Sequence, residues 1–178
     1  MRSPYLVNIA EVMRRAGSLQ HVHLDEPVSS IIDGDPRLDP AAVIVVDLQL
    51  ESLTDGIVVH GTIDVPWTDT CRRCLNTASG VAHSDIDELY QQVVTNPDAF
   101  PIVGDQLDLA PMVRDAVLLD TPQAPLCRAD CAGLCPTCGI DRNEATCSCA
   151  EPPGDPRWSQ LDGLRRSLEP TQPSDPAM

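Results

Sequence analysis

Six of the chain's eight cysteines fall within the 23 residues "CRADCAGLCPTCGIDRNEATCSC", Cys127 to Cys149, spaced C-x3-C-x3-C-x2-C-x8-C-x-C. Thiols at this density can pair as disulfides, exchange electrons or hold a metal ion. Cys135-Pro136-Thr137-Cys138-Gly139 has the form of a zinc knuckle. Two thiolates leave one tight turn, and a glycine free to take positive φ lets backbone amides point at the sulfurs. A closed tetrahedral site needs two more ligands. Cys147 and Cys149 are the first choice, because "GIDRNEAT" is a loop short enough to return them to the knuckle, and Cys127 and Cys131 are the alternative pair. A structural zinc ion is the expected cofactor, against disulfides, an iron–sulfur cluster or merely buried small residues. Four thiolates around one divalent ion carry a net charge of about -2, which Arg128 and Arg142 lie close enough in sequence to offset. Apolar residues are scarce here, with Leu134 and Ile140 the main ones, whereas structural zinc contributes roughly 10–16 kcal/mol in model peptides. Chelation is therefore expected to unfold residues 127–149 before the rest of the chain.

The remaining pair, Cys71-Arg72-Arg73-Cys74, is less specific. The arginines would lower a thiol pKa, which suits redox exchange or metal ligation. Thiol-disulfide enzymes place such a motif at a helix N-terminus in a βαβ setting, and this one lies among antiparallel strands. It can instead form a second metal site with Cys127 and Cys131, a local turn, or a contact surface bearing Arg72 and Arg73.

Other catalytic candidates are weak. His60 and His83 sit on strand faces with no carboxylate or nucleophile at a telling spacing, and His21 and His23 share a solvated strand face. No set of residues forms an active site, so a non-enzymatic role is expected.

The elements that must position the cysteines can be read from periodicity. Residues 8–17, "NIAEVMRRAG", have helical spacing and a capping-box-like Asn8/Glu11 pair. "LQHVHL" at 19–24 alternates as a strand, and an acidic Pro-rich loop follows over 25–40. Ile44, Val46, Leu48 and Leu50 share one face of a strand that turns at Asp55-Gly56, and Ile57, Val59, Ile63, Val65 and Trp67 share one face of the next. Residues 79–94 read as a third long strand, with a helix over "IDELYQQVV" as the alternative. Asp108 can cap a helix over "LAPMVRDAVLLD", with Pro111 in its first turn. Asp155 and Pro156 open an amphipathic helix with Trp158, Leu161, Leu164 and Leu168 inward. The expected fold is α+β. An antiparallel β meander flanked by short helices fills residues 1–126, and a Cys-rich zinc-knuckle module follows over 127–149. A helix over 150–168 packs on the core, and a disordered tail ends the chain over 169–178.

The chain has 178 residues, a formal net charge of -15 and twelve basic residues, all of them arginine. That charge repels phosphate backbones, so autonomous binding to DNA or RNA is not expected and a basic protein partner fits better. "YLVNIA" is too short and too quickly followed by charge to be a secretory signal, and no apolar run spans a bilayer. A cytoplasmic setting, where thiols stay reduced, is expected.

Taken in order, "CRRCL" at 71–75, "LDLAPMVRDAVLLDTP" at 107–122, "LCRADCAGLCPTCGIDRNEATCSC" at 126–149 and "DPRWSQLDGL" at 155–164 resemble the YceD family over most of the chain from about residue 40. The resemblance implies a factor in ribosome biogenesis, supporting accumulation of large-subunit (23S) ribosomal RNA. Its partner would be a ribosomal protein or large-subunit precursor particle, and members are commonly encoded beside a small large-subunit ribosomal protein. Not every member carries all the cysteines, so metal is expected to stabilise this branch rather than supply the shared function. The acidic loop 25–39 and the outer sheet face would meet a basic ribosomal protein, with Arg72 and Arg73 adding a contact. Two other classes fit the cysteines: a zinc-ribbon adaptor in a transcription or other protein complex, and a CxxC thiol-disulfide enzyme.

Overall fold

The computed structural model describes residues 3–150, 155–158, 161, 163 and 164, in two compact units, Met1–Gly133 and Leu134–Met178. The first unit is built on long alternating strands. β2 (Leu19–Pro27), β3 (Val43–Ser52), β4 (Gly56–Thr70) and β5 (Thr77–Gln91) form an antiparallel meander. The short β6 (Phe100–Pro101) joins β5 in parallel. β1 (Leu6–Asn8) pairs with β7 (Gln106–Asp108) in a separate two-stranded sheet.

Period-two alternation fixes the register, because a one-residue slip would turn every apolar side chain to water. Leu48 lies opposite both Val22 and Gly61, and Val46 opposite Ile63. Ile44, Val46, Leu48, Leu50, Ile57, Val59 and Ile63 are fully buried on one face. The hairpin and the third strand thus follow the expected pattern. Leu107, Leu109 and the helix α1 (Ala110–Asp120) close over that face, with Met112, Val113 and Val117 buried. Asp108 accepts from the Ala110 N–H at the start of α1, and Pro111 occupies the first turn, where its missing N–H removes no helical hydrogen bond. At the far end of α1, Arg37 donates to the Thr121 carbonyl at 2.9 Å and grips Asp35.

The helix expected over 8–17 is absent. Residues 6–8 extend along β7, the Asn8 side chain accepts from the Ala10 N–H instead of capping a helix, and only a 3-10 turn, Val12–Arg14, remains. Asn prefers such local turns, and pairing with β7 stabilises the extended form. The expected antiparallel meander is present, and with α1 the longest helix among the described residues the fold is mostly β on a mixed sheet. The second unit has a short bridge between Leu134 and Asp141 and a 3-10 turn, Pro156–Trp158, with Trp158, Leu161 and Leu164 exposed. Most of the helix expected over 150–168, including Leu168, and the tail 169–178 lie outside the described residues. No helix among the described residues is long and apolar enough to cross a membrane.

Two candidate metal centres

β4 and β5 are joined by a turn that carries Cys71 and Cys74. The Cys71 N–H donates to the Asn76 carbonyl at 2.7 Å, and the Leu75 N–H donates to the Cys71 carbonyl at 3.0 Å. Leu75 takes φ +63, the only positive φ at a non-glycine among the described residues. The second unit repeats this turn. Cys135 donates to the Ile140 carbonyl at 2.8 Å, Gly139 donates to the Cys135 carbonyl at 2.9 Å, and Gly139 takes φ +74. Two stretches with different sequences thus adopt one knuckle, each aiming two sulfurs outward from a tight loop.

Each knuckle is met by a second pair. Cys71, Cys74, Cys127 and Cys131 bring their sulfurs within 4.8 Å of one another, as do Cys135, Cys138, Cys147 and Cys149. Cys127 and Cys131 therefore group with Cys71 and Cys74, and Cys147 and Cys149 group with the 135–138 knuckle. In the first cluster the Cys71–Cys131 sulfurs are 3.8 Å apart and the Cys74–Cys127 sulfurs 3.5 Å. Four thiolates each ~2.3 Å from one tetrahedral ion sit about 3.8 Å from one another, so this spacing fits a single ion. A disulfide would bring two sulfurs to about 2.0 Å, and none of the eight cysteines forms one. An all-sulfur tetrahedral donor set suits zinc or iron.

The electrostatics agree with that chemistry. Burial opposes ionisation of Cys71, but the backbone N–H groups of Cys74, Arg73 and Cys127 outweigh it and hold the thiol at about 6. Backbone N–H groups of Cys138 and Thr137 bring Cys135 down to about 5. Two thiols move the other way: contact with Cys74 and burial push Cys127 up to about 12, and contact with Cys138 and burial do the same for Cys149. At Cys74 the Asn76 N–H favours the thiolate, yet burial and contact with Cys71 and Cys131 leave its pKa raised. Cys71 and Cys135 are thus the readily ionised sulfurs of the two clusters, and a bound divalent ion would displace protons from the raised thiols Cys74, Cys127 and Cys149. Arg142 lies 3.8 Å from the Cys135 sulfur, where its charge offsets the thiolates.

The clusters differ in setting. Three of the first four cysteines are buried, whereas in the second only Cys135 is. The first joins the β4–β5 turn to the segment after α1. There the Arg72 N–H donates to the Pro125 carbonyl at 3.0 Å and the Arg73 guanidinium to the Cys131 carbonyl at 2.9 Å. Gly133, at φ +72, packs so close to the Arg73 carbonyl that a Cβ would lie 3.0 Å from it. Arg73 thus holds the cluster together, and Arg72 and Arg73 are both exposed. The role of Leu75 was hidden in the sequence, since knuckles advertise themselves through a glycine at that position. Neither CxxC lies at a helix N-terminus, the setting in which thiol-disulfide chemistry is usually activated.

The sequence model of the family described as "Large ribosomal RNA subunit accumulation protein YceD" matches residues 59–165, a span that contains all eight cysteines. A protein of Mycobacterium tuberculosis, described as uncharacterised, is 32% identical over 174 residues, 89% of this chain and 80% of the relative. One of Mycobacterium leprae, described in the same way, is 31% identical over 178 residues, 91% of this chain and 78% of the relative. A protein of Arabidopsis thaliana described as "Large ribosomal RNA subunit accumulation protein YCED homolog 1, chloroplastic" is 29% identical over 70 residues, 39% of this chain and 22% of the relative. No solved structure matches the chain.

Proposed function

Because this chain belongs to the YceD family, and so to the proteins of large-subunit ribosomal RNA accumulation, we propose that it acts as a non-enzymatic cytoplasmic factor that supports accumulation of 23S ribosomal RNA through a protein partner on the precursor particle. The observation that carries this reading is the family match across the end of the sheet, α1 and both cysteine clusters, the parts that define the architecture. Charge selects the partner. At -15 the chain is repelled by bare RNA, whereas a basic ribosomal protein is attracted to it. Arg72, exposed beside the first cluster, is free to meet RNA once that protein is bound.

In the same reading both clusters hold structural zinc. Cys71, Cys74, Cys127 and Cys131 would hold one ion and Cys135, Cys138, Cys147 and Cys149 the other, and zinc would supply cross-links with no reactive position. Closed four-thiolate sites leave no open coordination position for substrate, which favours a scaffold over a catalyst.

The test is the ratio of large- to small-subunit ribosomal RNA in cells depleted of the protein, followed beside an undepleted control. A selective fall in the large-subunit RNA is expected, and an unchanged ratio would remove this function.

A further inference from the structure

The open face of the sheet gathers all four histidines of the chain. By register, His21 and His23 on β2, His60 on β4 and His83 on β5 all point away from the buried face. His21 meets Asp47 at 2.7 Å, His60 meets Asp87 at 3.1 Å and His83 meets Asp64 at 2.6 Å. His23 lies 3.6 Å from both Asp25 and Asp47, and His83 also lies 3.5 Å from Asp85. These paired side chains are 40% to 91% exposed, so the array faces water rather than the core. The same face carries six carboxylates: Asp25, Asp47, Glu51, Asp64, Asp85 and Asp87. No arginine occurs anywhere in β2, β3, β4 or β5.

Stability alone does not call for this arrangement. Exposed ion pairs contribute little, and carboxylates crowded onto one face repel one another. Structural anions are usually matched by arginine or lysine, and here the only cations on the face are histidines, which are charged or neutral according to pH. The six carboxylates spread across about 15 Å of sheet, four strands wide, with no arginine or lysine among them. Imidazolium is the only positive charge the face itself could set against them.

We infer that this face is a docking surface for an arginine- and lysine-rich protein segment, and that the interleaved histidines make its grip weaken as pH falls. The partner is chosen by charge complementarity. RNA would be repelled, a second copy would bring like charge against like, and a basic segment can place guanidinium forks on paired carboxylates. Protonated histidines would then compete with it for the same oxygens. The acid sensitivity of His83 is reinforced by the Asp64 hydrogen bond and charge, together with Asp85, which raise its pKa above the ordinary value. The inference rests on the proposed action through a basic partner and adds where that partner binds and how it is released.

The experiment titrates the full-length protein with a fluorescent oligoarginine peptide and, in parallel, with a single-stranded RNA of equal length. The wild type should bind the peptide and not the RNA, and lose about tenfold in peptide affinity between roughly pH 7.5 and 5.5 at constant ionic strength. The variant D47N/D64N/D85N/D87N should lose about tenfold at neutral pH, while E11Q/D98N/D105N/D115N, which removes the same charge elsewhere, should stay within about twofold. Replacing the four histidines by glutamine should keep neutral-pH binding and flatten its pH profile, which covers the case in which the aspartate variant folds poorly. Equal losses in both aspartate variants, a pH profile unchanged by the histidine replacement, or RNA binding in preference to peptide would overturn the inference. In depleted cells, rescue of ribosomal RNA by D47N/D64N/D85N/D87N would overturn the docking face while leaving the function standing. An RNA ratio unmoved by depletion would remove the function, and the peptide titration would still judge the face.

Discussion

Leu75 holds, at φ +63, the position in its knuckle that Gly139 holds at φ +74. Both donate to the carbonyl of the first cysteine of their CxxC, at 3.0 and 2.9 Å. A leucine in the left-handed region costs about 1–2 kcal/mol, and the exposed side chain recovers little of it by packing. Leu75→Gly should therefore be neutral or stabilising by up to about 1 kcal/mol, the gain being reduced by the greater unfolded-state freedom of glycine. Gly139→Ala should cost about 1 kcal/mol through backbone strain alone, because a Cβ there meets nothing within 4 Å. Thermal unfolding checks the first, and a chelator competition on the second cluster checks the other.

Metal removal should proceed in two steps. The protein as isolated is expected to carry two zinc ions, countable by atomic emission. The cluster of Cys135, Cys138, Cys147 and Cys149, with one buried ligand, should yield its ion to a chromophoric chelator before the cluster with three. Amide exchange should rise over residues 134–150 first, with β4 and β5 still protected. Release of both ions in a single phase would contradict this order. Cys74→Ser should lower the unfolding temperature by about 5 °C or more, and Cys147→Ser should hardly move the transition of the sheet.

Gly61 lies on β4 opposite Leu48 at φ +145, and a Cβ there would run into the Asp47 carbonyl of β3. Neither the backbone carbonyl nor the register can move without disturbing the pairing of β3 and β4. Gly61→Ala should cost about 1–3 kcal/mol or more, read from urea unfolding, whereas Gly17→Ala meets open space and should cost only its backbone strain of about 1 kcal/mol.

Asp35 gives a pH signature. Its hydrogen bonds with Arg37 hold the carboxyl below the usual carboxylate range, against the opposing effect of burial. A depressed folded pKa means that the stabilisation is present above the unfolded value, near 3.9, and is lost as pH falls through the folded one. Asp35→Asn should thus destabilise by about 1 kcal/mol at neutral pH, with the difference from wild type closing under strongly acidic conditions. A difference that widened on acidification would contradict the assignment. Arg37→Ala should cost more than Asp35→Asn, because it also frees the Thr121 carbonyl at the end of α1.

The strands were legible because their signal is local. Ile44 through Leu50 alternate without interruption, and the Asp-Gly turn fixes where the chain reverses. α1 was legible for a similar reason, through Asp108, Pro111 and the helical spacing between them. Residues 8–17 misled because their helical spacing competes with a pairing partner almost a hundred residues away, β7, which no local pattern reveals. The cysteine sets show the same division. The return of Cys147 and Cys149 to a neighbouring knuckle is a short-loop argument, whereas the meeting of Cys71 with Cys131, 60 residues apart, depends on where the sheet and α1 leave the chain. The histidines could be assigned to strand faces from alternation, but their convergence on one face required the register of four strands.

The long reach of the first cluster also sets a schedule. A ribosome making this chain delivers Cys71 and Cys74 first, and their partners follow 60 and 53 residues later. At roughly 5–20 residues per second that interval lasts several seconds, during which the nascent protein presents half a site. Two thiolates on a turn cannot enclose a tetrahedral ion, so secure capture awaits synthesis of α1 and the segment beyond it. A chain that stops before Cys127 keeps its strands but never closes the site. An ion seated between the β4–β5 turn and that late segment therefore marks a polypeptide whose synthesis has passed Cys131.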